Sequence, residues 1–237
     1  MTPVPVEEIT RRRAEILAAI GQAARRRGRD PGAVALMAVT KTQPAETVAN
    51  AARAGIVLFG ENRVQEAAAK IDAVKDAFPR LEWRLIGPLQ TNKAKTALQY
   101  FQAVESVDRE RLAVRLEALL AGESRVLPVL LEINLGAEES KSGASPAEAE
   151  GLAHAVLACP HLLLSGLMAV PPFHTDPQKA RPHFAALREL RDRLAERLSR
   201  PLPELSMGMS HDFSVAVEEG ATEVRIGTAL FGARETV

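Results

Sequence analysis

Aromatic side chains are scarce in this 237-residue chain, at 4% of the total, so its core must be aliphatic, as in proteins built on parallel sheets. A single cysteine, Cys159, excludes an internal disulfide and agrees with a reducing compartment. Thirty basic and thirty acidic side chains cancel to a formal net charge of zero. Without a global field there is nothing to draw in nucleic acid or an anionic membrane, and any anion must be caught locally. No apolar run approaches membrane-spanning length. Met1 to Thr10 carries acids and prolines where a secretory signal would have a basic stretch and an apolar run. His154, His161, His174, His183 and His211 lack the spacing of metal ligands, so no metal is expected. These absences leave a cytoplasmic globular protein as the expectation.

What is present is alternation. Residues Val6 to Arg27 are compatible with a helix whose face holds Ile9, Ile16, Leu17 and Ile20, stopped by Gly28-Arg29-Asp30-Pro31-Gly32. Eight short aliphatic runs then read as buried strands: Val34–Thr40, Ile56–Gly60, Trp83–Ile86, Ala103–Val107, Val126–Asn134, Leu162–Met168, Leu205–Met207 and Glu223–Ile226. Between them lie helical patterns, among them Ala45–Ala54, Arg63–Phe78, Arg109–Leu120, Pro146–Ala158 and Lys179–Leu198. Eight βα units in this length fit an α/β fold: one closed (β/α)8 TIM-type barrel. The expected domain is single, 1–237, with residues 1–30 forming an extra N-terminal helix packed on the barrel. An open doubly wound sheet is disfavoured, because the first strand ends in Thr40-Lys41-Thr42 and not in a glycine-rich turn.

In such a barrel the chemistry sits at the C-terminal ends of the strands. Lys41 leaves the buried run Ala35–Val39 at that end. Lost hydration of its ammonium would lower its pKa and free the amine to attack an aldehyde. Alone, it reads more simply as a rim lysine with its stem packed and its head in water. Glu223–Gly232 reads as strand, glycine turn and helix start, where Gly227, Thr228 and free backbone N–H groups suit a phosphate. The turn Ser206–Ser210, after the seventh strand, supplies a second donor-rich segment at the same end. Either turn alone is an ordinary tight turn. Together beside a strand-end lysine they point to a phosphorylated aldehyde.

At this point the residues match a known pattern. Ala38–Lys41, Phe59–Glu66, Ile86–Lys93, Lys141–Gly143, Gly166–Met168, Met207–Ser210 and Arg225–Gly232, in this order, resemble the YggS/PROSC family of pyridoxal phosphate homeostasis proteins. That family is similar to the barrel domain of bacterial alanine racemase, a fold-type III barrel, here without its C-terminal β-domain. The resemblance implies that Lys41 holds pyridoxal 5′-phosphate (PLP) as a reversible internal aldimine, a Schiff base. It implies that Ser206, Gly227 and Thr228 hold the phosphate, that Asn62 flanks the ring and that Arg225 faces the pyridine nitrogen. An arginine keeps its proton, so that nitrogen would stay unprotonated and the ring would be a weak electron sink, which suits binding better than transamination. A monomeric PLP carrier that delivers cofactor to apo-enzymes is the function implied. Family members usually carry histidine where this chain has Arg84, which puts the role of the third strand's polar side chain in question.

The rival reading is a PLP enzyme, an amino acid racemase or decarboxylase of weak activity. Racemisation needs a base on each face of the cofactor, and the usual second base is a tyrosine. Tyr100, the one tyrosine, falls on a helix between the third and fourth strands, so an enzyme is disfavoured. A nucleic-acid module using Arg11–Arg13 and Arg25–Arg27 is weaker still, because such runs on a first helix are ordinarily a solvated face. Ser210-His211-Asp212 has the letters of a hydrolytic triad, but adjacent residues cannot relay to one another. Lys141-Ser142-Gly143 reads equally as a polar lid over the barrel mouth or as an exposed loop.

Overall fold

The computed structural model describes residues 2–136 and 142–233. Eight strands, β1 (Ala35–Val39), β2 (Leu58–Glu61), β3 (Glu82–Leu85), β4 (Ala103–Val107), β5 (Leu127–Glu132), β6 (Leu162–Met168), β7 (Glu204–Met209) and β8 (Glu223–Ile226), close in sequence order into a barrel. Every neighbouring pair is parallel, and β1 pairs with β8 through Ala35–Glu223 to Ala38–Ile226. The connecting helices are α2 (Ala45–Arg53), α3 (Val64–Val74), α4 (Ala94–Tyr100), α5 (Glu110–Leu120), α6 (Ala149–Leu157), α7 (Arg181–Arg197) and α8 (Phe213–Glu218). A single turn, α9 (Thr228–Phe231), follows β8. The barrel reading of the sequence therefore holds. Pro146 sits in a turn ahead of α6, which begins later than its pattern suggested.

The leading helix α1 (Val6–Arg26) carries Glu7 and Glu8 in its first turn and Arg25 and Arg26 in its last, both favourable to the helix dipole. It buries Ile9, Ile16 and Ile20 against α2, α8 and α9, so it covers the β8–β1 closure. Each such side chain contributes roughly 1.5–3 kcal/mol by leaving water. Leu17, expected on that face, is instead exposed. Nor is the arginine-rich surface merely solvated. Arg12 donates to the Leu230 carbonyl, Arg26 pairs with Glu218, and Arg29 donates to the carbonyls of Val217 and Ala221. These bonds tether α1 to the segment carrying the last strand.

The apolar core lies between sheet and helices, where Phe59, Trp83, Leu85, Val224 and Ile226 pack. Inside the barrel the side chains are largely polar. Arg84 on β3 reaches Glu204 on β7 at 2.5 Å and Glu223 on β8 at 3.2 Å, contacts between strands that are not neighbours and that can meet only through the lumen. Above them Met37 and Ile86 close over Gly60, where an added Cβ would lie 2.4 Å from the Met37 sulfur. The interior is thus an ionic floor at the strands' N-terminal ends, an aliphatic band, and an open mouth.

Candidate functional site

Lys41 leaves β1 in a turn that is held from outside. The Lys70 ammonium, on α3, donates to the Thr40 carbonyl at 2.6 Å and to Glu61 and Glu66 at 2.7 Å each. Glu66 accepts in turn from the Thr42 backbone N–H at 2.5 Å, and Thr40 Oγ1 donates to Glu61 at 2.7 Å. Thr42 has a φ of 67°, a conformation that costs a branched residue energy and persists only where its surroundings impose it. Lys70 and Glu66 therefore fix the residues on both sides of Lys41. Burial raises the Glu61 pKa, and Lys70 only partly offsets that effect. Burial acts the same way on Glu66, but the bonds from Lys70 and Thr42 outweigh it and lower its pKa. Neither Glu61 nor Lys70 was singled out from sequence. The available signals were Glu61 at a strand end and the i,i+4 pair Glu66–Lys70.

The second wall comes from β7 and β8. Gly208, at φ 92°, lies where the pairing of these strands shifts register, and an added Cβ there would meet Ala216 at 2.5 Å. Past this bulge Ser210 reaches the mouth, and its Oγ accepts from the N–H groups of Gly227 and Ala229 at 3.2 and 3.1 Å. Two backbone donors thus converge on one point. Ser206, expected on this wall, is fully buried below it. Its Oγ donates to Glu223 Oε1 at 2.7 Å and accepts from Arg225 at 2.7 Å. Because β7 runs on to Met209, Ser206 lies within the strand, and the hydroxyl that lines the mouth is that of Ser210.

Arg225 does reach the mouth, as strand alternation requires. It is 4% exposed and is anchored by Ser206 and by the Ala169 carbonyl at 2.8 Å. Lys41, Asn62, Ser210, Arg225, Gly227 and Thr228 surround one cavity of about 380 Å3, with Val39, Ile86, Val170 and Phe173 as apolar lining. Five of the six site residues expected from sequence are brought together, and Ser206 is the exception. A cavity of this size suits a small cofactor. Its donor set, one amine, one guanidinium and two convergent N–H groups, suits a small anion that also carries an electrophilic carbon.

Other sequence candidates lie elsewhere. The Tyr100 hydroxyl donates to Asp72 at 3.0 Å, outside the cavity lining. Asp212 accepts from the Met209 N–H and the His211 ring meets the Thr175 carbonyl, so Ser210, His211 and Asp212 form no relay. Cys159 is buried, and burial raises its thiol pKa. Among the described residues no group of three or more His, Cys, Asp or Glu could hold a metal. Lys141 lies outside the described residues, whereas Ser142 donates to Glu132 at 2.8 Å.

The alanine racemase N-terminal domain family matches residues 17–235. Two bacterial relatives called pyridoxal phosphate homeostasis protein are 43% identical (Aquifex aeolicus, 94% of this chain and 97% of the relative) and 46% identical (Pseudomonas aeruginosa, 94% of each). The chain belongs to this family. Among solved structures, PipY of Synechococcus elongatus with PLP bound superposes with a TM-score of 0.83 at 36% identity, covering 94% of this chain and all of PipY. Alanine racemase from Corynebacterium glutamicum shares the fold, with a TM-score of 0.70 at 19% identity, and the chain spans 63% of its length. Arg84, the polar side chain of the third strand, stands in the floor of the lumen. Glu82, Glu105, Glu204 and Glu223 surround it at 2.5–3.4 Å. Burial opposes its charge, but Glu223, Glu105 and Glu204 together outweigh burial and raise its pKa.

Proposed function

We propose that this chain is a PLP carrier: it binds pyridoxal 5′-phosphate reversibly through Lys41 and serves cofactor homeostasis. The observation that carries the reading is the meeting of Lys41, Arg225 and Ser210, whose hydroxyl gathers the N–H groups of Gly227 and Ala229, around one cavity of about 380 Å3. The bound group supplies a reactive aldehyde, which Lys41 can take up covalently and give back. Ser210, Gly227 and Thr228 hold the phosphate, Asn62 flanks the ring, and Arg225 faces the pyridine nitrogen without surrendering its proton. The PLP-bound structure of PipY and the relatives' shared name support the reading of a PLP-binding protein in cofactor homeostasis.

Carriage is favoured over catalysis because Tyr100, the one tyrosine, is bonded to Asp72 away from the cavity, as its place on a helix led us to expect. We place the protein in the cytoplasm as a monomer that hands cofactor to apo-enzymes. Among the described residues no helix is long and apolar enough to cross a membrane. The test is reductive trapping: borohydride treatment of the PLP-treated protein should add one cofactor mass, and peptide mapping should locate it on Lys41. Lys41→Ala should lose both the mass and the visible absorbance. Label on another residue, or an unchanged spectrum in that variant, overturns the proposal.

A further inference from the structure

A second cavity of about 340 Å3 opens beside the first and shares Asn62, Ile86 and Val170 with it. Its remaining lining includes Pro88, Glu132 and Ile133. Glu132, the last residue of β5, is 8% exposed. Its Oε1 accepts from Ser142 Oγ, while its Oε2 is buried with no hydrogen-bond partner among the described residues. Asn62 Oδ1, on the wall between the two cavities, is likewise buried and unpartnered. Buried acceptors without donors are costly and uncommon. Asp108 adds negative charge near Glu132, with Arg225 as the opposing cation. Two orphan acceptors in acidic surroundings favour a ligand that brings N–H donors and positive charge, and they disfavour a carboxylate or a second phosphate.

We propose that this cavity is a subsite for a primary ammonium group on an aliphatic stem, with Glu132 Oε2 and Asn62 Oδ1 accepting its N–H bonds. Ile86, Pro88, Ile133 and Val170 supply the apolar contact for the stem. The wall is built tightly enough to hold Asn62 in place, since an added Cβ at Gly87 would lie 2.3 Å from the Asn62 carbonyl oxygen. The use of the subsite rests on the carrier reading: an amine held there stands beside the cavity of Lys41, where a recipient amine must arrive to take the cofactor.

The probe is n-butylamine, with n-butanol as its uncharged counterpart, titrated by amide-shift NMR into the cofactor-free full chain. Saturable binding of butylamine at least tenfold tighter than butanol is expected, with shifts around Asn62 and Glu132. Glu132→Gln should weaken butylamine binding at least tenfold and leave reductive labelling of Lys41 by PLP intact. Asp108→Asn, which keeps Glu132, should weaken it about threefold by removing the neighbouring charge, and it provides the readout should Glu132→Gln not fold. Equal binding of amine and alcohol, or unchanged binding in these variants, overturns the subsite. Loss of Lys41 labelling in the wild-type chain counts against the carrier reading instead, because the butylamine titration uses no cofactor.

Discussion

The two ends of the barrel lumen solve the problem of buried charge in opposite ways. At the floor, Arg84 meets Glu82, Glu105, Glu204 and Glu223. Carboxylates outnumber the cation, and burial together with Glu105 raises the Glu223 pKa well above the ordinary carboxylate range. Glu223 is held by Ser206 and Arg84, whereas Glu105 meets Arg84 through Oε1 and its buried Oε2 has no partner among the described residues. At the mouth, donors converge on Ser210 while Asn62 Oδ1 and Glu132 Oε2 lack partners among the described residues. One lumen thus holds a cluster of charges that meet one another across the barrel and a set of donors and acceptors that line its cavities. The first serves the fold, and the second faces ligands.

The ends are also joined. Arg84 pairs with Glu223, which accepts from Ser206, which accepts from Arg225 at the cavity wall. This gives Arg84 a structural role: the guanidinium spans the lumen and meets carboxylates on three other strands. Removing one partner of a buried ion cluster leaves uncompensated charge, at a cost of about 3–5 kcal/mol. Arg84→Met should therefore give the largest loss of stability, about 4 kcal/mol in urea unfolding. A change below about 1 kcal/mol would show that the floor is hydrated and only loosely coupled.

Lys70→Met tests the mouth in the same manner and should cost somewhat less, about 3 kcal/mol, because Glu66 is partly exposed and only Glu61 is left fully buried. Unlike the floor variant, it should also lower PLP occupancy at Lys41, since the residues on both sides of that lysine lose their anchor. Reductive labelling at unchanged yield would separate the clamp from the site. Next in size, Ser210→Ala should weaken PLP binding about tenfold, or ~1.4 kcal/mol, with little change in stability. Ser206→Ala should act through Arg225 and shift the cofactor's absorbance more than its affinity. If the two serines behave the other way round, the assignment of the phosphate wall fails.

Much of this was legible in the sequence, because the barrel rests on local signals. Strand runs of aliphatic residues and helix periodicity depend on neighbours a few positions away, and the ends of β4, β6 and β8 coincide with those read from sequence. Lys41, Asn62, Arg225, Gly227 and Thr228 were legible for a related reason: each lies at or just beyond a strand end, where the fold puts its chemistry. That Ser206 falls below the cavity and Ser210 on its wall was not legible, because the backbone of Gly208 breaks alternation within β7, and a glycine's φ is set by what packs against it. Arg84 and Glu204 are 120 positions apart, so nothing local announces their contact. The same holds for Glu132 and its orphan oxygen, which only a closed barrel brings beside Asn62.

The smallest expected effect separates the floor from the carboxylates on the outer surface through pH. Glu223 has a raised pKa in the folded state, so the native chain holds this proton after the unfolded chain has released its own near pH 4.3. Its contribution is complete below that pH and is lost as pH rises towards the folded value. Glu218 and Glu219 behave oppositely. Arg181 bonds to both, with burial opposing the effect at Glu219, and lowers their pKa values, so the stability they add is lost as pH falls. Glu223→Gln should therefore remove only the decline on the alkaline side, on the order of 1 kcal/mol between pH 5 and pH 8, and leave the acid limb unchanged. Urea midpoints of wild type and variant across that range give the difference directly. Parallel curves would mean that Glu223 is ionised throughout, and the floor would then rest on Arg84 as the cation for its carboxylates.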